Sequence, residues 1–215
     1  MIILFCSLLG CATPDFKQTP QTDLLRNRHY KKLIIEVVYF DKLSPIPTEA
    51  DLNYLKSKIL EYCHKDSVLV VVDPPKPVSA VYSLLWDATL LNIAENQLFG
   101  LHSAGDTVVI HIIYVPGYYV TSVSTLGLAY GDYAFAVFRN SFGQSQERGI
   151  LLHEFGHLLG LVNAGTVCQT RHEETDSEHR PHCKNDCVMH WCSPDIQTPD
   201  FDGACKEDLR ANGGR

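Results

Sequence analysis

The stretch from His153 to Asn163, HEFGHLLGLVN, constrains this chain more than any other. Histidines four residues apart on a helix project from one face, one turn apart, and can share an ion. Glu154, offset around the same helix, reaches a water on such an ion but not the ion itself. Ile150, Leu151, Phe155, Leu158 and Leu159 give the helix apolar surface, and Gly160 stands where a helix stops. Ser141 with Gln144 three residues on reads as a capping box, and Glu147 suits the positive end of the dipole. The sequence therefore predicts a helix over 144–160.

His153, Glu154 and His157 form the H-E-x-x-H arrangement of zinc hydrolases. Neutral imidazoles leave Zn²⁺ its charge, so water is acidified and carbonyls are polarised. A carboxylate beside the ligands accepts the water's proton and returns it to a leaving amine. The competing reading is a surface helix with two solvated histidines.

The rest of the chain reads as one domain with an N-terminal extension. Its 215 residues are 45% hydrophobic and 20% charged, which excludes whole-chain disorder, and a net charge of -7 argues against a nucleic-acid surface. Residues 32–40 are β-branched and aromatic, and 67–73 form a strand of the buried kind. Between them Thr48 caps a helix over 49–63, so the opening is strand, crossover helix, parallel strand. Residues 106–119 predict a strand closed by Pro116-Gly117, and Tyr133–Phe138 a further strand. Residues 74–104 are ambiguous between helix and two short strands.

The first eleven residues, MIILFCSLLGC, resemble a bacterial lipoprotein signal, cleaved before a cysteine that then carries lipid. This implies a signal peptide over 1–10, lipidation of Cys11, a polar tether over 11–31 and a domain over 32–215. The protein would be exported to the cell envelope and held at a bacterial membrane by its lipid, without a spanning helix. Cys63, Cys168, Cys183, Cys187, Cys192 and Cys205 would remain, and an even number in an oxidising compartment favours disulfides.

His153, Glu154, His157 and Gly160, followed by Met189 in DCVMHW, resemble the metzincin clan of zinc peptidases, whose motif is H-E-x-x-H-x-x-G-x-x-H/D before a methionine turn. His182-Cys183 and Cys187-Val188-Met189 are similar to archaemetzincins in particular. The resemblance implies an α/β, zincin-like fold: a twisted mixed sheet, a crossover helix, the active-site helix and an irregular Cys/His-rich C-terminal part with the Met-turn. Asn163 departs from the motif, because an amide oxygen is a poor zinc ligand beside imidazole. The histidine-then-cysteine signature makes His182 the third ligand, after an insertion over 164–181. Asn163, His179, His172 and, less favoured, Asp176 compete for that place, and Asn163 has a second role available as a hydrogen bonder near the site.

In archaemetzincins, cysteines after the helix hold a second, structural zinc. Cys183, Cys187, Cys192 and Cys205 are candidates here, but their spacing and the expected export favour disulfides, with Cys168 a natural partner. Tyr133–Phe138 resembles the clan's substrate-pairing edge strand, and an interior strand would look the same. The resemblance implies a zinc endopeptidase acting on peptides or proteins, with Glu154 as general base, and the chain is separately expected to be a monomer. A non-catalytic binding lipoprotein and a zinc-storage protein are the alternatives.

Overall fold

The structure is a computed structural model that describes residues 19–78, 84–139, 146–176, 180–184, 187–191 and 198–215. The first strand, β1 (Lys32–Tyr39), alternates between two cores: Leu33, Ile35 and Val37 face one, Val38 faces the other. Helix α2 (Glu49–Tyr62) follows, its first turn closed by the Thr48 hydroxyl accepting from the Asp51 amide. It leads to β2 (Ser67–Val72), which pairs with β1 in parallel. Residues 84–98 resolve the ambiguous stretch into a two-residue strand, β3 (Leu85–Trp86), and helix α3 (Ala88–Leu98) capped by Asp87.

The most apolar strand, β4 (Thr107–Val115), lies parallel between β1 and β7 (Ala134–Phe138). The expected strand over 106–119 is broken in two. At Gly117, φ is +104° and a Cβ would lie 2.2 Å from the Leu84 carbonyl oxygen, so the chain turns there. Tyr118–Tyr119 (β5) then joins β3 in a separate two-stranded sheet. The main sheet runs β2-β1-β4-β7-β6, and only β6 (Gly127–Gly131) is antiparallel. The edge strand beside α4 is β6, the opposite edge being β2, and Ala134–Phe138, read as a candidate edge, is interior. All five of its residues are buried, with Phe135 and Val137 in one core and Ala136 and Phe138 in the other.

One face of the sheet carries α2, the H-E-x-x-H helix α4 (Glu147–Leu158) and the C-terminal helix α5 (Gly203–Ala211); α3 and the small sheet cover the other. α4 is shorter than the expected 144–160, and the Ser141–Gln144 cap lies outside the described residues. Glu147 does more than meet the dipole. Its buried carboxylate accepts from the Tyr114 hydroxyl and from Arg139, both at 2.7 Å, tying the start of α4 to the ends of β4 and β7.

The tether expected over 11–31 does not hold from residue 19 onward. Pro20–Leu25 form a short helix, α1, and Leu24 and Leu25 are wholly buried in the main core. The buried Lys65 ammonium donates to the carbonyls of Asp23, Arg26 and Tyr30. Burying two leucines contributes roughly 3–6 kcal/mol, enough to order a segment whose composition reads as polar. Residues 1–18, with Cys11, lie outside the described residues.

Candidate metal centre

His153 and His157 leave α4 toward a cleft of about 910 Å³ between the helix and β6. The two Nε2 atoms are 3.1 Å apart. His153 Nδ1 lies 2.7 Å from the Val188 carbonyl oxygen, so Nδ1 carries the proton and Nε2 presents a lone pair. Burial pushes His153 down to about 4, and burial with the neighbouring imidazoles pushes His157 well below the ordinary histidine range. Both rings are therefore neutral at physiological pH, the form that ligates metal.

His182 stands against this pair, its ring centroid 5.2 Å from each of the other two. Ligand nitrogens of the three histidines all lie within 4.8 Å of one another. Tetrahedral zinc, with bonds of about 2.0–2.1 Å, places its nitrogen ligands about 3.3 Å apart, so the set fits the ion. His182 does not come off the helix. The Glu174 amide donates to the His182 carbonyl at 2.7 Å, and the Cys183 amide donates to the Met189 carbonyl at 2.9 Å. The segment is held between the inserted loop and the turn containing Met189.

Asn163 faces elsewhere. Gly160, Val162 and Asn163 have φ of +71°, +57° and +63°, and these left-handed residues turn the chain away from the end of α4. A β-branched residue in that region is strained, so the turn is held by its surroundings. The Thr166 amide closes it onto the Gly160 carbonyl, and the exposed Asn163 accepts from the Cys168 amide through Oδ1. Asn163 therefore fastens the start of the insertion. Asp176 is exposed, and His179 lies outside the described residues.

Glu154 lies under β6. Burial raises its carboxyl to about 8, against a hydrogen bond from the Ala129 amide that lowers it. Beneath the three histidines, Met189 Sδ packs on α4 at Gly156, where a Cβ would meet it at 2.2 Å. Trp191, half exposed, lines the cleft opposite Leu126 and Leu128 of the β6 side.

The cysteines form a second cluster behind the first. Cys205 Sγ lies 3.4 Å from Cys183 Sγ, 3.8 Å from Cys187 Sγ and 3.4 Å from His172 Nε2. The expectation of disulfides is not met among the described residues, where Cys63, Cys168, Cys183, Cys187 and Cys205 are all free. The ligand atoms of His172, Cys183 and Cys205 lie within 4.8 Å of one another, and those of Cys183, Cys187 and Asp202 form an adjoining group, so the cluster offers more donors than a disulfide, which joins two sulfurs, would use. Tetrahedral zinc with Zn–S of about 2.3 Å spaces its sulfurs about 3.8 Å apart, close to what is seen. His172 Nδ1 bonds the Thr170 carbonyl at 2.9 Å, leaving Nε2 for Cys205 and a metal. The amides of Met189 and Asp202 point at Cys187 Sγ, and the thiols of Cys183 and Cys205 hold Cys187 well below the usual thiol range.

No family model matches the chain, and no curated protein matches it. Among solved structures, it is similar to the crystal structure of archaemetzincin from Methanopyrus kandleri, with a TM-score of 0.52 and 19% identity over 85% of this chain and 95% of that one. The fold is archaemetzincin-like. It is a mixed α/β zincin architecture with a mainly parallel sheet. Within it, reading the sequence missed three site elements: His172 in the cysteine cluster, the anchor formed by Arg139, Glu147 and Tyr114, and β6 as the edge of the cleft. The signal for β6 was Gly131-Asp132, a turn between two short apolar runs.

Proposed function

We propose that the protein is a zinc endopeptidase whose metal is held by His153, His157 and His182. The observation that carries this is the approach of His182 to two neutral imidazoles on α4, the first of them oriented by the Val188 carbonyl. Zinc in that place supplies Lewis acidity, acidifying water and polarising a scissile carbonyl. Kept ionised by a divalent cation beside it, which offsets the burial that raises its carboxyl, Glu154 accepts the proton of the attacking water and passes it to the leaving amine. An extended peptide adds to the open side of β6 through backbone hydrogen bonds, and the cleft takes its side chains. His172, Cys183, Cys187 and Cys205 hold a second, structural zinc, and Cys183 directly follows His182, so that ion secures the third catalytic ligand.

The MIILFCSLLGC segment supports export and attachment to a bacterial membrane through lipid on Cys11. On the same reading it acts on peptides or proteins at the envelope. The test is cleavage of a random-sequence peptide library by zinc-loaded wild type and by Glu154→Gln. Wild type is expected to cut internal bonds, and Glu154→Gln to retain zinc and lose at least about 100-fold in rate. A wild type that binds zinc and cuts nothing would favour a binding protein built on the same fold.

A further inference from the structure

We infer that Gly127 is a positioning residue for Glu154: the missing side chain is a notch in β6 that seats the Glu154 carboxylate. This rests on the role proposed for Glu154 and adds the residue that sets its place. A Cβ built on Gly127 would lie 2.5 Å from Glu154 Oε1, 2.6 Å from its Cγ and 2.8 Å from its Cδ. The three nearest atoms thus all belong to one side chain, and none to backbone. Gly127 sits in a regular strand position opposite Val137 and outside the left-handed region, so its backbone suits any residue. Space, not conformation, calls for glycine here.

The same strand supplies a second hold two residues on, where the Ala129 amide bonds the Glu154 carboxylate. Glu154 is 5% exposed, so a carboxylate expelled from the notch has little room beside it and must swing into the cleft. Gly131 shows that glycine is not a general demand of the strand, since a Cβ there would meet Ala134 Cβ at an ordinary 3.5 Å. The obstructing atoms at Gly127 run from Cγ to Oε1 of a side chain with rotatable bonds, and no backbone atom is among them. A methyl group there displaces the base rather than the strand. Folding and metal binding survive while the proton acceptor leaves its place, and a displacement of about 1 Å costs on the order of 100-fold in rate.

Gly127→Ala, Glu154→Ala and the double variant, all zinc-loaded, test this. Gly127→Ala is expected to keep wild-type zinc content, to lower kcat about 100-fold and to leave KM within about twofold. By ¹H–¹⁵N correlation it is expected to shift the Ala129 amide away from its wild-type position. In the Glu154→Ala background, adding Gly127→Ala should leave that resonance and the melting temperature unchanged, because the obstructed group is gone. Equal kcat for Gly127→Ala and wild type overturns the inference. So does an effect of Gly127→Ala on the Ala129 resonance or the melting temperature that is as large without Glu154 as with it. A wild type without peptidase activity refutes the proposed function instead, and the amide and melting comparisons still decide the role of Gly127.

Discussion

His153 Nδ1 lies 2.7 Å from the carbonyl oxygen of Val188, so a ring on α4 is oriented by the peptide beside Met189. Val188 also follows Cys187 of the thiol cluster, and His182 precedes Cys183. The two candidate metal centres therefore share backbone, one bond from ligand to ligand on one side and one residue on the other.

The third ligand can be assigned by metal content. His182→Ala is expected to weaken zinc binding at the histidine site by at least about 100-fold, with Asn163→Ala retaining it. Chelator competition on both variants reads this directly. Retention by the first and loss by the second would reverse the assignment.

Metal removal should expose the second centre. Wild type is expected to hold two zinc ions per chain, and Cys205→Ser one, with a lower melting temperature. A chelator that strips both ions should lower the wild-type midpoint further and make Cys183, Cys187 and Cys205 reactive to a thiol reagent. Two ions retained in Cys205→Ser would exclude the cluster as a zinc site.

Gly156→Ala differs from a change at Gly127. Its Cβ would meet Met189 Sδ at 2.2 Å, and Met189 Cε and Phe201 Cε1 at 3.1 Å, all within the main core. Overpacking there should cost about 1–3 kcal/mol in urea unfolding. An unchanged midpoint would show that Met189 is free to move.

His111 contributes a pH dependence. Burial opposes its charge, but hydrogen bonds to Glu95 at 2.7 Å and to the Leu101 carbonyl outweigh it, and the folded pKa is raised above 6.5. The folded state then holds the proton more tightly than the unfolded chain. The stabilisation is fully present below pH 6.5 and is lost as pH rises through the folded value. The stability difference between wild type and His111→Gln should shrink across that window. A constant difference from pH 5 to 9 would refute it.

Arg139 and Glu147 are both wholly buried, so removing one leaves the other uncompensated. Arg139→Met alone should cost about 3–5 kcal/mol, and adding Glu147→Leu should recover part of it. Thermal unfolding of the two variants decides the sign of the coupling.

The local parts of the site were legible in the chain because their geometry is local. The four-residue spacing of His153 and His157 places both on one helical face wherever the helix packs, and Glu154 follows from the same pitch. β1, α2 and β2 were readable for the same reason: β-branched runs and a Thr48 cap declare themselves within a few residues. Tyr133–Phe138 was legible as a strand but not as interior, because its edge or central place depends on which strand lies beside it. Leu24 and Leu25 were hidden in a polar stretch whose folding depends on Lys65, some forty residues away.

The amino-acid sequence alone determined that His153, Glu154 and His157 share one helix at H-E-x-x-H spacing and that the chain opens strand–helix–strand, since each is written in neighbouring residues. Only the tertiary structure decided the rest. It brought His182 to the helix pair, turned Asn163 outward to its loop, and set His172 against Cys183 and Cys205, with Cys187 alongside, where disulfides were expected. These depend on how an inserted loop packs between the methionine turn and α5, through contacts between residues far apart in the chain that no local spacing encodes.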